Sequence, residues 1–286
     1  MTVADLPGLQ SSSRLSFADL RRRLGQPVPP VPPDPPDPPD PPVPSVAGRS
    51  IVRQLLAIDA PGSWVAEIDG AVAGVALAGR RERLWYLAQL HLLPGYQGLG
   101  IGRGLLAAAL TYADGTAGQL LHSSLDPQAM RCYQRAGFAL EPALEATGRL
   151  RRSAVPALPH VRPGCADDLD LAAHLDRHLR GGAHGPDLEL LLHLGARMFV
   201  VDRPDARGYA VVQDRRKIVA ATDEATARTL LWTVLAESDT HADVEVQVLR
   251  ADQQWAIDVA VRAGLALAPT GPLCRLAPYL PHPALL

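Results

Sequence analysis

The segment Leu90–Leu106, which reads LHLLPGYQGLGIGRGLL, constrains the fold of this chain more than any other stretch. An apolar run that predicts a buried strand leads into a glycine-rich turn, and a helical pattern follows at once. Glycine adopts positive φ readily and lets backbone N–H groups approach a ligand closely. A helix N-terminus adds unpaired amide donors and the positive end of the helix dipole. The segment therefore predicts a strand–loop–helix unit suited to a pyrophosphate group.

Two familiar phosphate-binding loops do not fit this segment. A P-loop ends in Gly-Lys-Ser/Thr, and this loop has neither the lysine nor the hydroxyl residue. A dinucleotide-binding G-x-G-x-x-G pattern requires a third glycine where the chain has Arg103 or Leu105. A nucleotide-binding domain is therefore the least favoured of the functions that we consider.

The pattern that does fit is [Gln/Arg]-x-x-Gly-x-[Gly/Ala] after a buried strand, filled here by Gln97, Gly100 and Gly102. With this motif the chain resembles the GNAT superfamily of acyl-CoA-dependent N-acetyltransferases. A second signature of that family, Asn/Asp-x-x-Ala-x-x-x-Tyr-x-x-x-Gly-Phe, follows in the correct order. Its five positions are filled by Asp126, Ala129, Tyr133, Gly137 and Phe138. The resemblance covers residues 63–140 by motif, and the second half by architecture alone.

The resemblance implies an α/β fold with a central mixed β-sheet flanked by helices, and acetyl-CoA as cosubstrate without a metal. It also implies two splayed strands, with pantetheine amides pairing to the backbone of Leu90–Leu92 as an added strand would. Arg103 is a candidate for a charge-assisted contact to a CoA phosphate, and a solvated arginine is an equal alternative. The residues expected to bind the cofactor are Leu90, His91, Leu92, Gln97, Gly98, Leu99, Gly100, Ile101, Gly102 and Arg103.

Direct attack of an amine on a thioester requires an acid, an oxyanion donor and a base. By resemblance, Tyr133 is the acid that protonates the departing thiolate, and a backbone N–H near Leu92 is the oxyanion donor. Several family members carry a glutamate that acts as the catalytic base at the position where this chain has Tyr86. The base therefore stays open, and the candidates are His91, His122, Glu67 and a water chain.

Residue patterns predict the elements around these motifs, and a similar order recurs in the second half. In the first half we predict strands at 64–69, 71–78, 84–93 and 120–124, and helices at 105–113 and 127–136. In the second half we predict strands at 198–202, 208–212, 218–221 and 244–249, and helices at 168–179, 225–237 and 252–263.

The recurring order indicates a duplication, and Arg135–Leu140 (RAGFAL) matches Arg262–Leu267 (RAGLAL). We therefore predict two tandem GNAT-like domains, 1–155 and 156–286. A Pro-rich loop or disordered insertion at 27–44 interrupts the first of them.

The second domain is expected to be degenerate. Its counterpart of the glycine loop, Thr222–Thr226, has no glycine and carries two carboxylates, and its counterpart of Tyr133 is Ala260. The first domain shows no counterpart of the strand that Val161 begins, so its first strand is expected to be missing or truncated.

Composition excludes several other classes. The 286 residues carry a net charge of −2, which gives no basic signal for nucleic acid or an anionic membrane. Three dispersed cysteines fit neither a disulfide framework nor a zinc site, and no leader or membrane-spanning run is evident. Lys217 is the single lysine among 28 basic residues, which we interpret as codon bias.

We therefore expect a cytoplasmic acetyl-CoA-dependent N-acetyltransferase, either a monomer with an internal pseudo-dimer or a homodimer. Its acceptor is expected to be the primary amine of a small molecule or a peptide. The alternative is a non-catalytic acyl-CoA-binding or scaffolding protein.

Overall fold

The computed structural model describes residues 1–2, 5–26, 28, 43–213, 216–238, 242–276 and 284. The predicted Pro-rich loop at 27–44 lies outside the described residues, apart from 28 and 43–44. Among the described residues, no helix combines the length and the apolar character needed to cross a membrane.

The chain forms two compact units. Unit 1 comprises Met1–Arg80, Leu84–Leu121 and Leu125–Phe138, and unit 2 comprises Arg81–Arg83, His122–Ser124 and Ala139–Leu286. The predicted division at 155/156 rests on the internal repeat and stays a prediction, whereas the compact units divide mainly at 138/139.

Unit 1 is built on a mixed sheet. Its elements are α1 (Leu6–Arg23), α2 (Val43–Ile58), β1 (Ser63–Ile68), β2 (Ala71–Arg81), β3 (Leu84–Leu92), α3 (Ile101–Leu110), β4 (Gly118–His122) and α4 (Pro127–Arg135). The strand order is β1-β2-β3-β4, with β1 antiparallel to β2 and β3 parallel to β4. Val75 and Leu77 of β2 pack against α1 and α2, whereas Gly74 lies on the face where α3 packs. Helices therefore flank the sheet as predicted.

Unit 2 contains two further groups of strands. Its elements are β5 (Ala139–Gly148), β6 (Arg162–Gly164), α5 (Leu169–Arg180), α6 (Pro186–His193), β7 (Arg197–Asp202), β8 (Arg207–Gln213), β9 (Arg216–Ala221), α7 (Glu224–Ala236), β10 (Val244–Leu249), α8 (Gln254–Arg262) and β11 (Ala266–Leu276). An antiparallel sheet has the order β6-β7-β8-β9. In the other group, β5 pairs antiparallel with both β10 and β11.

Most predicted elements agree with the structure within a few residues, and the start of α3 is the clearest difference in unit 1. The helix begins at Ile101, four residues before the predicted position, because the first turn of a helix tolerates glycine and here includes Gly102 and Gly104. Its buried face is formed by Leu105, Leu106 and Ala109.

Helix α4 begins as its sequence predicts. Asp126 is the N-cap, and its carboxylate accepts a hydrogen bond from the Gln128 backbone amide at 2.9 Å. Pro127 occupies the first turn, and Gly137 has a φ of 95° just after the helix end. These local signals fix the position of the helix that carries the second motif.

Candidate active site

The two central strands of unit 1 separate after a short parallel ladder. The ladder pairs Leu84–Tyr86 of β3 with Gly118–Leu120 of β4. β3 continues to Leu92 without further pairing to β4 among the described residues. The backbone of β3 beyond Tyr86 is therefore available on one side for an added strand.

Gln89 lies within this free stretch of β3 and has a buried side-chain oxygen, Oε1, without a hydrogen-bond partner among the described residues. An unpaired buried acceptor destabilises the protein by about 1–3 kcal/mol. An N–H donor from a ligand next to β3 would satisfy it. This orphaned acceptor fits a chain of amide groups such as pantetheine.

The glycine loop after β3 presents an uncapped helix N-terminus. Gly98 and Gly100 have φ of 80° and 84°, which side chains other than glycine rarely adopt. Gly100 is the N-cap of α3, and no side chain accepts a hydrogen bond from the first turn of the helix. The amides at the start of α3 are therefore open to an anion, and the helix dipole favours one there.

Gly102 allows the first turn of α3 to approach the end of β3. A Cβ at Gly102 would lie 2.8 Å from Leu92 Cδ1, and a Cβ at Gly74 would lie 2.9 Å from Leu92 Cδ2. The Leu92 side chain is thus enclosed between two glycines, which fixes the glycine loop against the sheet.

The other predicted loop residues divide into contacts with the protein and exposed positions. The side-chain amide of Gln97 donates to the Leu92 carbonyl at 3.4 Å, a weak bond that ties the loop to β3. Ile101 is half-buried, and Leu99 is 69% exposed. Leu99 therefore contributes its backbone to the loop rather than a packed side chain.

Arg103 lies over the start of its own helix. Its side chain is exposed, and Nη2 lies 3.9 Å from the position that a Cβ at Gly100 would occupy. Burial raises the pKa of the Cys132 thiol on α4, and the charges of Arg103 and Arg135 oppose that rise. The Arg103 guanidinium thus lies beside the uncapped helix start, where it adds positive charge.

His91 is buried on the opposite face of β3 from Leu92. Its Nε2 lies 3.0 Å from Ser12 Oγ on α1, and the Ser12 hydroxyl donates to the Leu9 carbonyl. With the Ser12 hydroxyl hydrogen on the Leu9 carbonyl, we assign the hydrogen of the neutral His91 ring to Nε2 and the lone pair to Nδ1. Nδ1 has no partner among the described residues, and burial lowers the pKa of His91 to about 4. His91 is therefore neutral at neutral pH and offers an unused proton acceptor.

Tyr133 is buried within an aromatic group that links α4 to the sheet. Its ring meets Phe138 edge-on at 6.3 Å between centroids, and Phe138 lies 6.4 Å from Trp85 on β3. Trp85 is fully buried and donates its indole N–H to the Ala109 carbonyl of α3. The packing holds the Tyr133 ring in a defined position relative to β3 and α3.

The other candidate bases lie apart from this group. Glu67 is exposed on β1, which is separated from β3 by β2, about 10 Å in strand spacing. His122 belongs to unit 2, where its Nε2 donates to the Gly271 carbonyl at 3.0 Å. Of the residues considered, His91, Tyr133 and the glycine loop all belong to unit 1.

Tyr86 occupies the position of the missing glutamate and packs against the sheet instead. Its ring lies so close to Gly79 that a Cβ there would meet the phenol at 2.5 Å. The substitution at this position is thus accommodated by a glycine on the neighbouring strand.

Comparison with known proteins gives a match to one family model over part of the chain. Residues 32–138 match the family model described as the acetyltransferase (GNAT) family. The match covers 107 of the 286 residues of the chain and includes both sequence motifs. No curated protein matches the chain significantly.

Solved structures show the same fold along nearly the whole chain. A putative acetyltransferase from Pyrococcus horikoshii matches with a TM-score of 0.73 at 13% identity, covering 99% of this chain and 89% of its own. A GCN5-related N-acetyltransferase from Sphaerobacter thermophilus matches with a TM-score of 0.57 at 14% identity, covering 95% and 92%. One from Kribbella flavida matches with a TM-score of 0.55 at 16% identity, covering 96% and 69%.

Thr222–Thr226, the counterpart of the glycine loop in the second half, differs from the glycine loop in one contact. Asp223 is the N-cap of α7 and accepts from the Thr226 backbone amide at 2.9 Å. The carboxylate thus occupies a position that is open at α3. Ala260, the counterpart of Tyr133, is fully buried and has no ionisable group.

Sequence reasoning missed the contacts that α1 makes with the candidate site. Ser12 binds His91, and Ser16 Oγ donates to the Leu92 carbonyl at 2.5 Å. Both serines are far from β3 in the sequence, and no local pattern distinguishes them. Arg23, near the C-terminus of α1, pairs with Asp126 at 3.2 Å and ties α1 to the start of α4.

Proposed function

We propose that the chain is an acetyl-CoA-dependent N-acetyltransferase whose active site lies in unit 1. The observation that carries the proposal is the uncapped start of α3 at the open end of β3, with Gly98 and Gly100 at positive φ. An anion-binding helix start next to a free strand edge fits a ligand with a pyrophosphate at one end and amides along its length.

Different residues of unit 1 bind different parts of acetyl-CoA. Amides of the glycine loop and the first turn of α3 bind the pyrophosphate, and Arg103 adds a charge-assisted contact. The backbone of Leu90–Leu92 and the Gln89 side-chain oxygen bind the pantetheine amides. Bound acetyl-CoA supplies the thioester carbonyl that the acceptor amine attacks.

Proton transfer is assigned to two side chains. Tyr133 donates its phenolic proton to the departing sulfur, since its ordinary pKa near 10 is close to that of a thiol. His91 Nδ1 accepts a proton from the attacking nitrogen after that nitrogen has become positively charged. The low pKa of His91 keeps Nδ1 unprotonated over the physiological range. A backbone N–H near Leu92 is the proposed oxyanion donor.

The acceptor is proposed to be a primary amine, of a small molecule or a peptide. The second half is proposed to bind no CoA at α7, because Asp223 already caps that helix.

Turnover of acetyl-CoA across a panel of primary amines tests the proposal. Wild type is expected to release free CoA in an amine-dependent manner. Tyr133→Phe and His91→Gln are each expected to lower kcat by about 100-fold or more, with Kd for acetyl-CoA within about threefold.

Three outcomes would change the assignment. CoA binding without turnover with any amine favours the non-catalytic acyl-CoA-binding alternative. An unchanged kcat in either variant removes that residue from the mechanism. Binding of ATP or NAD in place of CoA would contradict the proposal altogether.

A further inference from the structure

Unit 2 contains a cavity that none of the proposed catalytic groups uses. Its volume is about 200 Å³. It is lined by residues of α6, β8, β9 and β10: Leu191, Val211, Gln213, Arg216, Lys217, Ile218, Val246 and Gln247. An apolar cavity of about 150 Å³ binds benzene, so this one accommodates about six to nine non-hydrogen atoms.

The cavity lies where the internal repeat would place a parallel ladder. β9 and β10 are the predicted counterparts of β3 and β4, which pair at their N-terminal ends. β9 and β10 belong to different sheets, and the lining residues include the first three of β9. The cavity therefore lies where the repeat would pair β9 with β10.

The backbone of β10 is irregular at this place. Its register with β5 shifts between Val246 and Leu249, and Val248 has a φ of 55°. A β-branched residue at positive φ is strained, and such strain and bulges concentrate at binding sites. The irregularity occurs beside Gln247, which lines the cavity.

One side of the cavity is apolar. Leu191, Val211 and Val246 are 7%, 2% and 1% exposed, so they form a desolvated wall from three different elements. The contact area suits a short aliphatic chain, which gains about 0.8 kcal/mol for each buried CH₂ group.

The other side of the cavity is cationic. Arg216 and Lys217 are consecutive at the start of β9, and Lys217 is the single lysine of the chain. Gln213 is held in place by donating its side-chain amide to the Leu194 carbonyl at 2.9 Å. Glu245, next to the lining residue Val246, is buried and accepts a hydrogen bond from the Gln247 side chain.

We infer that this cavity binds a small monocarboxylate. Its carboxylate lies against Arg216 and Lys217, and its aliphatic chain lies on Leu191, Val211 and Val246. The two cations of the lining suit an anionic head group, and the apolar side chains favour a fatty carboxylate over inorganic phosphate. The inference stands independently of the acetyltransferase proposal, because every lining residue belongs to unit 2.

The single lysine provides a direct probe. Reductive methylation with ¹³C-formaldehyde places an NMR label on Lys217 and on the N-terminal amine alone. Hexanoate, which has eight non-hydrogen atoms, is titrated into the labelled protein, with hexan-1-ol as the uncharged control. The Lys217 signal is expected to shift and to reach saturation as hexanoate is added. The protein is expected to bind hexan-1-ol at least tenfold more weakly than hexanoate.

Two variants make the test specific. Arg216→Gln is expected to weaken hexanoate binding about tenfold, and Arg216 is exposed, so the fold is retained. Arg262→Gln removes an exposed arginine of α8 outside the cavity lining and is expected to change nothing. A shift that does not saturate, or that is equal in both variants, would overturn the inference.

Discussion

His91 makes a strong prediction about the pH dependence of stability. In the folded state its pKa is lowered from 6.5 to about 4 because the ring is buried. Below pH 6.5 the unfolded chain therefore binds a proton that the folded chain does not, and stability falls as the pH falls. The comparison variant is His91→Gln, because glutamine keeps an N–H donor near Ser12 but does not titrate.

The size of the change in unfolding free energy follows from the lowered pKa of His91. At pH 7 His91 is neutral in the folded state and about three-quarters neutral in the unfolded state. At pH 5 the unfolded state is protonated and the folded state is not, which destabilises wild type by about 2 kcal/mol. The difference in unfolding free energy between wild type and His91→Gln is therefore expected to move by about 2 kcal/mol between pH 7 and pH 5, in favour of the variant.

Pulse proteolysis with thermolysin in urea measures this difference unit by unit. Peptides from residues 84–121 and 125–138, quantified by mass spectrometry, report unit 1, and peptides from residues 216–236 report unit 2. The expected pH-dependent gain of His91→Gln is confined to unit 1. Parallel pH profiles of wild type and variant in unit 1 would refute the burial and protonation state assigned to His91.

Two further predictions concern polar contacts that hold the fold. Asp126→Ala removes the hydrogen bond to the Gln128 amide and the ion pair with Arg23. It is expected to destabilise unit 1 by about 1–2 kcal/mol, measured by urea unfolding. Asp126→Asn keeps the helix cap and is expected to destabilise unit 1 by less than about 1 kcal/mol. Tyr209→Phe removes the hydroxyl that donates to the buried Asp176 carboxylate at 2.7 Å, and is expected to destabilise unit 2 by about 1.5–3 kcal/mol; a loss below 0.5 kcal/mol would contradict that hydrogen bond.

Local patterns in the sequence predicted the elements that carry the two motifs. Apolar strands, the glycine loop and the cap at Asp126 are signals that act within a few residues, and β3 and α4 lie close to their expected positions. GNAT recognition rested on the same local spacing, and the family match confirms it.

Those local signals did not predict which distant segments of the chain pair as strands. β11 contains Pro269, Gly271 and Pro272, which argue against a strand, and it was not predicted. It pairs with β5 through a register shift between Thr270 and Leu273, where an irregular backbone accommodates these residues. Helix α6 was missed as well.

The buried polar contacts of unit 2 were also invisible in the sequence. His184 Nδ1 lies 2.7 Å from Asp176, and Tyr209 reaches the same carboxylate from β8. These groups become neighbours only through the packing of α5 on the sheet. Pairs of residues from different elements, such as Ser12 with His91, require the tertiary structure.

The central claim is that the start of α3 binds the pyrophosphate of acetyl-CoA, and Gly104 allows it to be tested without damaging the fold. Gly104 is exposed, has ordinary helical φ, and has nothing within 4 Å of an added Cβ. A side chain there covers the turn at Gly100, because helical side chains point towards the N-terminus. Gly104→Gln and Gly104→Glu should each stabilise the helix by about 0.5–1 kcal/mol.

Calorimetric titration of acetyl-CoA into wild type and these two variants is therefore the decisive measurement. A carboxylate about 8 Å from a phosphate charge costs about 2 kcal/mol at an effective dielectric constant of about 20, or about 30-fold in Kd. We expect one site per chain, a Kd for Gly104→Gln within about threefold of wild type, and a Kd for Gly104→Glu at least tenfold weaker. Equal binding by all three proteins, or none by wild type, would contradict a pyrophosphate site at α3.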